Sequence, residues 1–392
     1  MALSESKSRR FPAAMWVAAL AITTTALGAC SSSGGASDKT NAASSSPTTG
    51  STTSGTTTNF DAELAPYLKE PTQLPTLPAI TKPVPKGKDV YIVYGGAGPQ
   101  QTIVTAAEEA ISALGWKSHS VTYNLSNPAS GNSAILGALN SGADAILDNG
   151  LPAASIQPAL AAAKAKNVPV LEVSGTDPLS TPDILQVGQS QVSATAWAKA
   201  MALAVMSDAQ KRKVTPHVVV VGANGSDLSK IFEDADIKAI KDLCPKCEAN
   251  SNNLSPGDFV AGEAPSTTLS YIQSHPDTNY VLVIGFPGAM RSVLDSAGLN
   301  KVQIGGEVST PSNLQGVKSG DFFFWLASGD GFVGALGVDA LVRIFTGADT
   351  TAVQKLPVPS WIVTKTSNIP ANGTPDFPTG YAAAFKRLWN VS

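Results

Sequence analysis

The chain has 392 residues, 27 Lys and Arg against 30 Asp and Glu, a net charge of −3 and 43% hydrophobic residues. Nearly balanced charge with no basic cluster beyond Arg10 excludes an extended nucleic-acid face, and no apolar run after Leu27 approaches the roughly 20 residues that cross a bilayer. The stretch from Phe60 onward is long enough for two domains of roughly 100 to 200 residues each.

Lys7, Arg9 and Arg10 precede an apolar stretch from Ala13 to Leu27 that ends in small residues, the layout of a secretory signal segment over 1–29. Leu27, Gly28, Ala29 and Cys30 resemble the bacterial lipobox, which implies cleavage before Cys30 and a diacylglycerol anchor on its sulfur. An ordinary cleaved signal with an incidental cysteine is the alternative. Residues 30–59 are nearly all Ser, Thr, Gly and Ala, too poor in apolar surface to offset the entropy of ordering, and are expected to form a disordered tether. An N-terminal extension, 60–87, follows.

From Lys88 the chain alternates β-branched runs with amphipathic segments, the signature of βαβ units and parallel sheets. The expected order is strand Asp89–Tyr94, helix Gln100–Leu114, strand Trp116–Tyr123, a helix near Ser133–Asn140, strand Ala145–Leu147, helix Ile156–Lys166, and strands Val168–Val173 and Ile184–Val187. A helix Gln191–Met206 leads into a second series. It comprises strand His217–Val221, helix Ser229–Leu243, a strand near Glu248, helix Ser266–Ser274, strand Tyr280–Ile284, helix Gly288–Ala297 and strand Val302–Gly305. Strand Phe322–Leu326, helix Val333–Phe345, strand Trp361–Thr364 and a tail helix Tyr381–Trp389 complete it.

Cys244 and Cys247, in Cys-Pro-Lys-Cys at the end of a helical pattern, are expected to close a small disulfide. A redox centre would place this motif at a helix start, and a zinc site lacks partners because His119, His217 and His275 are scattered. No metal or other cofactor is expected.

Taken in order, Leu114-Gly115-Trp116, Ser141 to Asn149, Asn167-Val168-Pro169-Val170, Val187-Gly188-Gln189, Val219 to Gly225, His275-Pro276-Asp277 and Asn300 to Ser319 make the chain resemble the periplasmic sugar-binding proteins of the ribose-binding-like group, from about Lys88 to Thr364. The resemblance implies an α/β fold with two open parallel-sheet lobes, periplasmic-binding-protein type I, joined by a three-strand hinge. The first lobe would hold 88–190 plus 327–350, the second 191–326 plus 357–366, and 367–392 would form a C-terminal tail. It implies a monomer that binds a small molecule for an ABC permease, exported and held on the extracytoplasmic face of the membrane through the Cys30 lipid. A sensory receptor presenting its closed form to a membrane kinase is the alternative.

Ligands of such folds sit where the carboxyl ends of the strands of both lobes converge. That criterion selects Gln100, Gln101, Asn149, Ser174 and Asp177 from the first lobe, Asn224, Phe286 and Glu307 from the second, and Gln189, Trp325, Ser328 and Asp330 at the crossings. The family's arginines have no counterpart after Val173 or within Asp227 to Phe232, Phe286 replaces an asparagine, and Glu307 an aspartate. Each lost arginine fork removes roughly 1.5 to 3 kcal/mol of charge-assisted bonding, which points away from glucose, galactose and ribose. A carbohydrate or polyol held by amides, and a less polar solute held by Phe286, Trp325 and Trp197, both stay open. Catalysis is not expected: the glycine-rich turn at Gly96 and Gly98 lacks a third glycine, and neither G-x-S-x-G nor H-E-x-x-H occurs.

Overall fold

A computed structural model describes residues 58–96, 99–124, 127, 129–175, 177–223, 227–255, 257–258, 261–370, 373 and 375–391. The signal segment, Cys30, nearly all of the expected tether and Asn224 lie outside the described residues.

Strands β1 Asp89–Tyr94, β2 Lys117–Thr122, β3 Ala145–Asn149, β4 Val170–Ser174 and β5 Leu185–Gln189 form a parallel sheet in the order β2-β1-β3-β4-β5. Both faces are covered by helices, which explains why β3 and β4 are buried at every position. Helices Pro99–Ala113 and Asp330–Thr346 supply Ile103, Val104 and Leu336 to one face, while Ala129–Asn140 and Gln157–Ala165 supply Ile135 and Leu160 to the other.

The second sheet comprises β6 His217–Ala223, β7 Glu248–Leu254, β8 Tyr280–Ile284 and β9 Gln303–Glu307, in the order β7-β6-β8-β9. Beside β9 runs the antiparallel pair β10 Trp325–Ser328 and β11 Ser360–Val363, with Phe323 N–H donating to the Ile304 carbonyl at 2.9 Å. Helix Gln191–Arg212 is buried along most of its length because it lies against helix Asp227–Leu243 on one side and the crossing segments on the other.

The chain passes between the lobes after Gln189, after Ser328 and again near Val358. These crossings are tied together: Gly329 N–H donates to the Pro359 carbonyl at 3.1 Å, Val358 N–H to Ser193 Oγ at 2.9 Å, and Trp197 Nε1 to the Val358 carbonyl at 3.0 Å. One apolar cluster runs from Val90 and Leu147 through Trp197 and Val205 to Val220 and Leu282, so the core is continuous past the hinge.

Some boundaries differ from those expected. The long helix continues beyond Met206 to Arg212 because Ala209 still faces the core, and it stops where Lys213 turns left-handed at φ 57°. The strand expected over Phe322–Leu326 begins only at Trp325, where pairing with Val363 starts. The helix expected from Val333 starts at Asp330, directly after β10.

Candidate functional site

Because β1 to β5 are parallel, their carboxyl ends share one edge, and polar residues interrupt the apolar runs there. Gln100, in the first turn of its helix, accepts from Gly95 N–H at 2.9 Å and donates through Nε2 to the Asn149 carbonyl at 3.2 Å. Asn149, fully buried, accepts through Oδ1 from Ser174 Oγ at 2.8 Å, and Ser174 Oγ also lies 3.4 Å from Gln189 Oε1. Gln189 Nε2 donates to Asp330 Oδ1 at 3.0 Å, and the same oxygen accepts from Ser328 Oγ at 2.6 Å. Six of the expected site residues thus form one connected chain from the end of β1 to the crossing after β10. The Asn149 side-chain nitrogen is buried with no acceptor.

Gly188 makes the last link possible. Its φ is +79°, and a Cβ there would stand 2.8 Å from the Val173 carbonyl and 2.9 Å from Val333. With no side chain, β5 bulges so that Ser174 pairs with both Gly188 and Gln189, which brings Gln189 beside Asp330. Burial pushes the Asp330 carboxyl up to about 7, against the opposing effect of the Ser328 and Gln189 donors.

In the second lobe, Glu307 ends β9 with neither carboxylate oxygen bonded and 1% of its surface exposed. Asp236, on helix Asp227–Leu243, is equally buried and also lacks a donor at either oxygen. Burial, reinforced by Asp236, drives the Glu307 carboxyl well above its ordinary value; burial and then Glu233 do the same to Asp236. Two adjacent buried acids without a cation favour holding a proton. Val308, next in the chain, is a β-branched residue at φ 65°, a strained backbone whose carbonyl accepts from Asn313 Nδ2 at 3.1 Å and Trp325 Nε1 at 3.2 Å.

Other candidates stand apart. Gln101 is exposed and accepts from the Tyr94 hydroxyl at 3.3 Å, and Asp177 accepts from Ala153 N–H at 2.7 Å. Phe286, after β8, is 52% exposed. Trp325 lies wholly in the second-lobe core, its ring so close to Gly306 that a Cβ there would come within 2.7 Å of it. Trp197 is likewise internal, stacked on Phe232 with centroids 5.4 Å apart.

Sequence reading missed Asp236, Asp148 and Val308. Asp236 interrupts the buried stripe of Phe232 and Ile240 at helical spacing, and an acid there was a legible signal. Asp148 is fully buried beside Asn149, and burial raises its carboxyl well above the usual range, with Asp177 adding to the shift. Nothing in the sequence marks the left-handed backbone of Val308.

The structure is similar to several solved ones at low identity. A glucose-galactose binding protein from Geobacillus stearothermophilus matches at 16% identity and TM-score 0.61, over 72% of this chain and 99% of that one. An ABC transporter solute binding protein from Burkholderia graminis in complex with D-arabinose matches at 17% and 0.61, over 72% and 98%. A carbohydrate transporter from Acidothermus cellulolyticus in complex with myo-inositol matches at 17% and 0.58, over 78% and 99%. No curated protein matches the chain. The family model described as periplasmic binding protein domain matches residues 90–349, from β1 to just beyond the helix that follows β10. Two parallel-sheet lobes with polar strand ends turned to a common hinge, together with that match, place the chain in the periplasmic binding protein domain family, with the type I fold.

Proposed function

We propose that the chain captures a small polyhydroxylated solute, a sugar or polyol, outside the cytoplasm and hands it to an ABC importer, while a lipid on Cys30 holds it at the membrane. The family is one of solute-binding proteins rather than enzymes. The observation that carries the reading is the connected chain Gln100–Asn149–Ser174–Gln189–Asp330–Ser328, which links first-lobe strand ends to a crossing. A ligand bonding there and to the second lobe would favour the closed arrangement over an open one, and the closed surface is what a permease reads.

The polar version of the ligand is better supported than the apolar one. Trp325 and Trp197 spend their N–H groups on the Val308 and Val358 carbonyls in the interior, whereas Asn149 and Glu307 keep polar atoms without protein partners. D-arabinose and myo-inositol in two similar structures agree with it.

Thermal melts against pentoses, hexoses, linear and cyclic polyols and aromatic acids test the proposal. A true ligand at about 100 times its dissociation constant adds roughly 2.7 kcal/mol, a rise of several degrees. Gln189→Ala is expected to weaken that response by more than about tenfold in Kd. A shift from aromatic acids alone, with every sugar and polyol silent, would overturn the polar reading. Cys30→Ser is expected to release the protein from the membrane fraction, and retention would remove the lipid anchor.

A further inference from the structure

We propose that residues 58–88 form a strap that crosses the hinge and limits how far the two lobes open. Their course is bonded at both ends and in the middle. On the second lobe, helix Phe60–Leu64 lies against helix Gln191–Arg212, where Asp61 pairs with Lys211 at 2.8 Å and accepts from the Ser207 hydroxyl, and Gln210 Nε2 donates to the Thr58 carbonyl at 3.2 Å. At the hinge, Trp361 of β11 donates its indole N–H to the Leu68 carbonyl at 3.2 Å. On the first lobe, Arg343 Nη2 donates to the Pro78 carbonyl at 2.9 Å and Trp116 Nε1 to the Pro85 carbonyl at 2.7 Å.

These anchors are built into the protein rather than laid on its surface. Leu64 and Ile80 are 6% and 3% exposed and belong to the continuous core. Arg343 is itself buried and paired with Asp339 at 2.7 Å, so its contact to Pro78 is held from behind. Between Leu68 and Pro78 the chain has no regular secondary structure, carries Pro71, Pro75 and Pro78, and sets Leu74 and Leu77 partly against the core. Proline fixes φ, so this stretch is stiff, and a segment of ten residues cannot exceed roughly 36 Å at full extension. Trp361 packs in the second-lobe core while Arg343 lies in the first-lobe helix Asp330–Thr346, so opening the lobes about the hinge separates these two anchors; the strap must then straighten or give up one of them.

Distances between spin labels at Ala165→Cys and Lys241→Cys, exposed on the first and second lobes, test this in the full chain carrying Cys30→Ser and without any solute. Three forms are compared: the native strap, a strap slackened by a Gly/Ser insert between Thr72 and Gln73, and the same strap cut by a site-specific protease within the insert. The native form is expected to give a narrow distribution, the slackened form a broader one extending to longer distances, and the cut form the longest. Asp61→Ala combined with Phe60→Ala, which loosens the second-lobe end without lengthening the chain, is expected to move the distribution the same way. Superimposable distributions for native, slackened and cut forms, each with a cooperative melt, would overturn the strap.

Discussion

Gly334 offers a test in which local and tertiary physics predict opposite signs. It lies inside helix Asp330–Thr346, where replacing glycine by alanine ordinarily stabilises by about 1 kcal/mol. In this fold a Cβ at Gly334 would stand 2.2 Å from the Ile103 carbonyl oxygen and 2.8 Å from Ala107 N, both backbone atoms of helix Pro99–Ala113. No rotamer change relieves such a contact, so the helices must part by roughly 1 Å, and overpacking of this kind costs about 3 kcal/mol or more. The net expectation for Gly334→Ala is a loss of about 2 kcal/mol, a fall in Tm of roughly 2 to 4 °C for a chain of this size. Gly137 is the control: it is exposed in helix Ala129–Asn140, and a Cβ there meets nothing within 4 Å, so Gly137→Ala is expected to raise Tm slightly. Paired thermal melts decide the matter. If Gly334→Ala is as stable as the native chain or more so, the close approach of the two helices is wrong.

Three further outcomes follow from buried charge and covalent closure. The Asp330 carboxyl is raised to about 7 in the fold, so between its unfolded value and 7 the native state holds more protons and stability falls as pH rises; Asp330→Asn should gain about 2 to 3 kcal/mol on the native chain between pH 5 and pH 8, and equal urea-midpoint gaps at both pH values would refute this. Arg343→Met leaves Asp339 buried with only the Trp389 N–H as partner, at 2.8 Å, and is expected to cost about 3 to 5 kcal/mol in urea unfolding; a loss under about 1 kcal/mol would show that the pair contributes little. Cys244 and Cys247 are joined in a disulfide with a sequence separation of 3, and replacing both by serine is expected to cost only about 2 kcal/mol because so short a loop has little entropy to lose; denaturant midpoints with and without reductant check it.

The alternation of β-branched runs with amphipathic segments was enough to state two parallel-sheet lobes, since strand and helix periods are local properties and glycine, proline and polar turns punctuate them. Polar residues at the ends of apolar strands likewise put Asn149, Ser174 and Gln189 at one edge, because a parallel sheet sends all its carboxyl ends there, whereas Asp330 follows the antiparallel strand β10. Which of them touch was decided by the fold: the Gly188 bulge carries Gln189 to Asp330, a residue 141 positions away. Trp325 shows the reverse. A tryptophan near a crossing reads equally well as a ligand platform or as packing, and only the approach of Gly306 put its ring in the core. Asp236 and Glu307 lie far apart in sequence, and the upward shift that Asp236 adds to Glu307 exists only because helix and strand bury both. Residues 60–87 carried no signal beyond an extension, since their anchoring depends on Trp361, Arg343 and Trp116, supplied by distant parts of the chain. Local sequence determines which elements form, because propensity and period act over a few residues. The partners of a buried polar group or a strap are chosen by tertiary packing, because those contacts join residues that only the folded chain brings together.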